Sequence, residues 1–183
     1  MQLGAPALTP ALALAFAGLV ILSSPAQSQV PFADQLVLDP QETCSTGIPE
    51  EAAVVALALR GAKDKNYLLA GRNEIARLAV RGPASDAYSV FQITGTASAG
   101  AMAFFGLGHE RFVQIGERSR VFASAEAAGA SLFVLEDAGQ GYFRVRQQGS
   151  QIWMRMNANG YLDFNARSAA EAVNFCAQKV AAN

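Results

Sequence analysis

The sequence predicts an all-β domain made of three copies of one unit of about 42 residues, each with four short strands. At 143–146 the residues FRVR alternate apolar and charged side chains, as half-buried strands do. Asn159-Gly160 takes positive φ readily and is a strong signal for a tight hairpin. The same markers also recur upstream in the same order, which indicates an internal repeat.

The repeat can be followed through the marker residues of each strand. Strand four carries a phenylalanine at spacings of 42 and 42: Phe91, Phe133 and Phe175. Strand two carries an aromatic residue at spacings of 45 and 41: Tyr67, Phe112 and Trp153. Strand three carries an aliphatic residue at spacings of 43 and 41: Leu78, Val121 and Leu162. For strand one the matching pairs are Leu57/Leu59, Ala103/Phe105 and Phe143/Val145. The residues at 49–53 also match a helix start, but the repeat favours strand from about Val55 onward.

Units that cannot bury their apolar faces alone must share one core. In this respect the chain resembles the β-trefoil superfamily, and within it the fascin-like trefoil domains. The third unit matches their string at Val145, Gly149, Trp153-Met154, Gly160, Leu162, Glu171 and Phe175. The first unit matches it at Leu59, Gly61, Tyr67-Leu68, Leu78, Asp86 and Phe91. The resemblance covers nearly all of 53–178 and implies one closed six-stranded barrel with a cap of three hairpins. Fascins bundle actin through four such domains; a single copy departs from that, so actin binding is not carried over.

The N-terminal part predicts export. Ala11–Leu22 is an apolar run too short to span a bilayer comfortably, and Ala26-x-Ser28 is a small-x-small cleavage pattern. We therefore expect a signal peptide at 1–28, an extended arm at 29–52 and the trefoil domain at 53–183. This implies a secreted or periplasmic protein with no membrane span in its mature form. The stretch before the apolar run lacks Lys and Arg, which departs from the usual signal and leaves a retained anchor as the alternative.

We predict that the two cysteines, Cys44 and Cys176, form one disulfide, as is usual for exported chains. In the barrel that the resemblance implies, the last strand would lie beside the first, so the arm could reach Cys176. The alternatives are two free thiols or a reactive cysteine. A metal site is not expected, because His109 is the only histidine and two sulfurs supply half a tetrahedral shell. No cofactor motif occurs.

Charge and motif content restrict the function. The chain has 14 Lys and Arg against 15 Asp and Glu, so it lacks the concentrated basic charge that nucleic-acid binding uses. His109 is expected to be an exposed turn residue, and no nucleophile–base motif is present. The chain is therefore not expected to be an enzyme.

The candidate ligand-binding residues are Arg144, Arg146, Trp153 and Arg155. The arginines could form a patch for sulfate or phosphate groups, although Glu136, Asp137 and Asp163 are close enough in sequence to neutralise them. Trp153 could stack a sugar, or it could pack over the hairpin layer together with its equivalents. Gln151-Ile152-Trp153 has the Q-x-W form of ricin-type lectins but lies in strand two, whereas theirs lies in the last strand of the repeat.

These observations predict a monomeric, non-catalytic binding module whose partner is a protein or a glycan. The alternative is a trefoil protease inhibitor that presents 80–88, where Arg81 could fill a trypsin-like pocket.

Overall fold

The computed structural model describes residues 47–59, 66–81, 87–95 and 100–180. Short strands dominate these residues, joined by tight turns and single-turn 3-10 helices. The strands are β1 Val54–Leu59, β2 Leu68–Ala70, β3 Leu78–Val80, β4 Val90–Gly95, β5 Met102–Gly106, β6 Arg111–Ile115, β7 Val121–Ala125, β8 Phe133–Gly139, β9 Tyr142–Gln147, β10 Trp153–Met156, β11 Leu162–Ala166 and β12 Asn174–Lys179. The 3-10 helices are Ala87–Ser89, Glu117–Ser119 and Ala127–Gly129.

Six of the strands close into an antiparallel barrel. Around the barrel the order is β1, β4, β5, β8, β9 and β12, and β12 pairs back onto β1. Each remaining pair of strands forms a hairpin: β2–β3, β6–β7 and β10–β11. The chain therefore runs through barrel strand, hairpin and barrel strand in each of the units β1–β4, β5–β8 and β9–β12.

The marker phenylalanines meet in one core, as the repeat predicts. Phe91, Phe133 and Phe175 are all fully buried and belong to a single apolar cluster. Phe133 stacks on Phe104 and on Phe164, each with 5.3 Å between ring centroids. The aliphatic strand-three markers are buried in the same cluster: Leu78, Val121 and Leu162.

The predicted register of strand one is wrong in the second unit. Phe104 packs into the barrel core, whereas Ala103 and Phe105 lie in a separate outer cluster with Phe112. Backbone pairing shows which strand-one residues are equivalent in the three units. Leu57 pairs with Ala177, Phe104 with Ile93, and Val145 with Leu135, and each of these partners belongs to a strand four. The pattern misled because 101–105 reads AMAFF, which is apolar on both faces.

Asn159-Gly160 forms the predicted turn between β10 and β11. Gly160 has φ +78°, and its N–H donates to the carbonyl of Asn157 at 2.9 Å. Strand β1 begins at Val54, which confirms strand from Val55; Ala52 before it has φ +65° in a turn.

The predicted signal peptide and most of the arm, including Cys44, lie outside the described residues. Cys176 is fully buried on the outer face of β12, in a cluster with Ala56, Ala58 and Tyr67. The pairing of Cys44 with Cys176 therefore stays a prediction. Within the described ranges, no helix is both long enough and apolar enough to cross a membrane.

Candidate functional site

Arg146 and Trp153, two of the predicted ligand-binding residues, meet at a carboxylate. Arg146 Nε donates to Glu136 Oε1 at 2.5 Å, and Trp153 Nε1 donates to Glu136 Oε2 at 2.8 Å. Adjacent strands β8, β9 and β10 hold these side chains, and Arg146 lies directly opposite Trp153 in the ladder. Trp153 is 8% exposed, so its ring packs against the protein and offers little surface for stacking a ligand.

Glu136 keeps its negative charge through this contact. Partial burial acts to raise its pKa, but hydrogen bonds from Trp153 and Arg146, together with the charges of Arg146 and Arg144, lower the pKa below its usual range. The guanidinium of Arg146 is thus neutralised within the chain, as the ion-paired alternative predicts.

Arg144 is likewise engaged by its own chain. Its terminal nitrogens donate to the carbonyls of Ala169 and Asp137 at 3.1 and 3.3 Å, and its Nε is buried. Arg155 is exposed on β10, and the structure does not bring it into the Glu136 contact. Ligand binding by Arg144, Arg146, Trp153 and Arg155 stays a prediction.

The strand-two aromatics are packing residues in all units. Tyr67, Phe112 and Trp153 are 3%, 4% and 8% exposed. Tyr67 donates to Gln178 Oε1, just as Trp153 donates to Glu136. The packing interpretation of these rings agrees with their burial.

A second group of arginines surrounds an open cleft where the three hairpins meet. The cleft has a volume of about 580 Å³. Its described lining residues are Leu69, Ala70, Gly71, Arg72, Asn73, Ile75, Arg77, Ala79, Arg81, Tyr88, Arg120, Phe122 and Tyr161. Four of them are arginines and none is acidic. We call it the hairpin cleft.

Backbone bridges between the hairpins connect residues that line the hairpin cleft. Arg77 pairs with Phe122, Ala79 with Tyr161, and Arg120 with Asp163. These contacts join β2–β3, β6–β7 and β10–β11 around a common centre. The side chains on the bridging residues are therefore presented from strands of the cap, a rigid setting for a binding site.

Two guanidinium groups converge on one ring in the hairpin cleft. Arg77 and Arg81 lie over Tyr161, with Cζ 4.1 and 4.6 Å from the ring centroid. Arg77 Nη2 also forms an ion pair with Asp163 at 3.1 Å. Among the described residues, the Arg81 side chain donates a hydrogen bond to the backbone carbonyl of Asn159 at 3.4 Å. Arg77 is therefore neutralised locally, while Arg81 keeps an exposed positive charge.

Tyr88 also lines the hairpin cleft, and its ring contacts His109. His109 Nε2 lies 2.6 Å from the carbonyl oxygen of Gly71, so Nε2 carries the hydrogen of that bond. Its ring meets Tyr88 edge-on at 4.9 Å. Gly108 leaves room for this approach, because a Cβ there would lie 2.6 Å from the Tyr88 ring. His109 is half-buried, which corrects the expectation of an exposed turn histidine.

Arg81 was the residue proposed for protease inhibition. Its guanidinium lies over Tyr161 at the edge of the hairpin cleft. Residues 82–86 of the loop lie outside the described residues, so the inhibitor interpretation stays a prediction.

Solved structures identify the architecture. No family model and no characterised protein sequence matches the chain. The designed threefold-symmetric protein ThreeFoil aligns at TM-score 0.59 and 11% identity, over 69% of this chain and 98% of that one. The Macrolepiota procera ricin B-like lectin, solved with lactose, aligns at TM-score 0.58 and 6% identity, over 72% and 99%. SeviL, solved with asialo-GM1 saccharide, aligns at TM-score 0.55 and 14% identity, over 70% and 98%.

The chain is a β-trefoil. Identities this low show the fold of the β-trefoil and leave the fascin-like subtype a prediction. The sequence did not predict the hairpin cleft, because its arginines are scattered between positions 72 and 120 and belong to different hairpins. The only local signal was arginine beside the strand-three markers of two units, at Arg77 before Leu78 and at Arg120 before Val121.

Proposed function

We propose that this β-trefoil is an exported, non-catalytic binding module, and that its ligand, a glycan or a protein, occupies the hairpin cleft. The observation that carries the proposal is an open cleft of about 580 Å³ with arginines and aromatic rings on its walls. Its volume lies within the range of about 300–1,000 Å³ typical of ligand pockets. Arginine and tyrosine supply directional donors and flat apolar faces, the combination that recurs at recognition sites.

The non-catalytic part of the proposal rests on the chemistry that the chain offers. Within the described residues, no three His, Cys, Asp or Glu side chains cluster as metal ligands would. His109, the only histidine, contacts a backbone carbonyl and the Tyr88 ring. General-base catalysis would need that ring to reach a nucleophile instead.

Structural neighbours support a glycan as one of the two proposed ligand classes. Two β-trefoils with the same architecture were solved with a saccharide, one with lactose and one with asialo-GM1 saccharide. The shared fold supports testing sugars beside proteins as ligands of this chain.

The test uses the purified protein on a glycan array and, in parallel, as bait for proteins of the envelope and the medium. A variant with Arg81→Gln and Arg120→Gln serves to locate binding. We expect a ligand in at least one experiment, with binding reduced by the variant. Absence of any ligand, or binding that ignores the variant, would overturn the proposal. Export is checked separately by the mass of the protein recovered outside the cytoplasm, which should begin near Gln29.

A further inference from the structure

The positive charge of the hairpin cleft exceeds what the described chain neutralises there. Asp163 neutralises Arg77 through an ion pair, with 3.1 Å between Arg77 Nη2 and Asp163 Oδ1. Arg81 and Arg120 are exposed, and no ion pair to either occurs among the described residues. Like charges held in a concave site repel one another and attract an anion, and the low-dielectric walls strengthen that field. The cleft is thus complementary to a negatively charged group.

The same cleft offers apolar surface beside its charges. Phe122 is a half-buried lining ring, and Ile75 at the rim is 61% exposed, whereas the Tyr161 ring is already overlain by Arg77 and Arg81. An inorganic anion would leave this surface in contact with water. A pyranose covers it, because the C–H face of the sugar is apolar and matches the face of an aromatic ring. The ligand therefore combines a negative charge with an apolar face.

The shape of the site favours a small ligand over a protein surface. Protein interfaces bury about 800 Å² on each partner and are comparatively flat. The hairpin cleft is an open concavity of about 580 Å³. A terminal or internal sugar residue fits that geometry, with its anionic substituent against the arginines.

We propose that the hairpin cleft recognises an anionic glycan, through a carboxylate or a sulfate on the sugar held by Arg81 and Arg120. This inference rests on the proposed binding function and adds the charge class of the ligand. Arg77 is a positioning residue: its ion pair with Asp163 and its stack on Tyr161 fix the wall beside Arg81.

Calorimetric titration of the purified protein tests the proposal with three probes: an oligogalacturonate, a heparin-derived oligosaccharide and neutral lactose. At least one anionic probe is expected to bind at least about tenfold more tightly than lactose, and its affinity should fall several-fold when salt rises from about 50 mM to 500 mM. Binding of the first probe alone identifies a carboxylate ligand, and binding of the second alone identifies a sulfate ligand.

Variants locate the binding. Arg81→Gln with Arg120→Gln should weaken the anionic probe by about tenfold or more, because charge-assisted hydrogen bonds are lost. Arg167→Gln, which removes an exposed arginine beyond the far end of β11, is the matched control and should change affinity less than about twofold. Thermal melting confirms that each variant is folded.

Three results would overturn the inference. One is equal binding of lactose and the anionic probes; another is an equal loss in the control variant. The third is capture of a protein ligand at the cleft with no sugar binding, which leaves the proposed function intact. Failure of every sugar and every protein ligand would overturn the proposed function as well.

Discussion

Tyr67 donates its phenolic hydrogen to Gln178 Oε1 at 2.5 Å and so joins strand two of the first unit to the last strand of the chain. Gln178 lies three positions after the buried Phe175, and Glu136, the acceptor of Trp153, lies three positions after Phe133. The same contact thus links neighbouring units twice around the barrel.

Replacement of Tyr67 by Phe should lower the free energy of unfolding by about 1–3 kcal/mol, because it leaves the Gln178 amide buried without that donor. Both side chains are 3% exposed. Combining Tyr67→Phe with Gln178→Leu should cost less than the sum of the two single losses, because both substitutions remove the same hydrogen bond. Urea unfolding of the single and double variants measures the coupling, and strictly additive losses would contradict the argument.

The same variant should alter alkaline stability. Burial raises the pKa of Tyr67 above the usual 10.0, and the Gln178 bond only partly opposes this. The folded state therefore holds the proton more tightly than the unfolded state, so stability should fall as pH rises above about 10. Tyr67→Phe should show a weaker fall over that range than the parent protein.

Glu136 should make stability depend on pH in the acid range, with a loss as pH falls. Its pKa in the folded protein is lowered from the usual 4.5, so its contribution to stability is present above that value and is lost as pH falls below it. Glu136→Gln should cost about 1 kcal/mol at neutral pH, since the Arg146 ion pair is partly exposed. The variant should also unfold with a shallower pH dependence below about pH 4.5.

The matched control for that measurement is Glu126→Gln. Glu126 pairs with Arg111 at 3.3 Å, but its side chain is 79% exposed. Screening by water and salt makes such a pair nearly neutral for stability. An equal effect of both substitutions would show that the Glu136 contact with Trp153 and Arg146 adds nothing specific.

The barrel was predictable because its markers lie at fixed spacing and each marker is a large buried side chain. Phe91, Phe133 and Phe175 locate the three units without knowledge of the loops. The hairpin cleft was not predictable in the same way. Arg81 and Tyr161 are 80 positions apart and meet only because the β2–β3 and β10–β11 hairpins bridge in the cap.

For the candidate residues on β9 and β10, the sequence pattern predicted the face of the strand but not the partners of the side chains. Alternation placed Arg144 and Arg146 on one outer face, and the structure agrees. The pattern could not tell whether that face is open to a ligand. Carbonyls of Ala169 and Asp137 accept from the terminal nitrogens of Arg144, and the Glu136 carboxylate accepts from Arg146 Nε, which only the folded chain reveals.

The corrected register of β5 makes a direct stability prediction. Phe104 is 2% exposed and stacks on Phe133, whereas Phe105 is half-buried in the outer cluster. Phe104→Ala should cost about 3–5 kcal/mol, as expected for a cavity in a packed core. Phe105→Ala, the matched control one position along, should cost clearly less. Equal losses in denaturant unfolding, or a larger loss for Phe105, would restore the sequence-based register.

The proposed disulfide between Cys44 and Cys176 can be tested by counting thiols. The chain has only these two cysteines. Denatured protein should therefore consume no thiol reagent before reduction and two equivalents of the reagent per chain after reduction. The closed loop spans most of the domain, so reduction should lower the free energy of unfolding by about 2–4 kcal/mol in the chain-entropy account.

Cys44→Ser supplies the control, because it breaks the crosslink without touching the buried Cys176. Its stability should match that of the reduced parent protein and should not respond to reductant. Cys176→Ser should be less stable still, since it also places a hydroxyl among Ala56, Ala58 and Tyr67. Two reactive thiols per chain in the denatured, unreduced parent protein would contradict the crosslink.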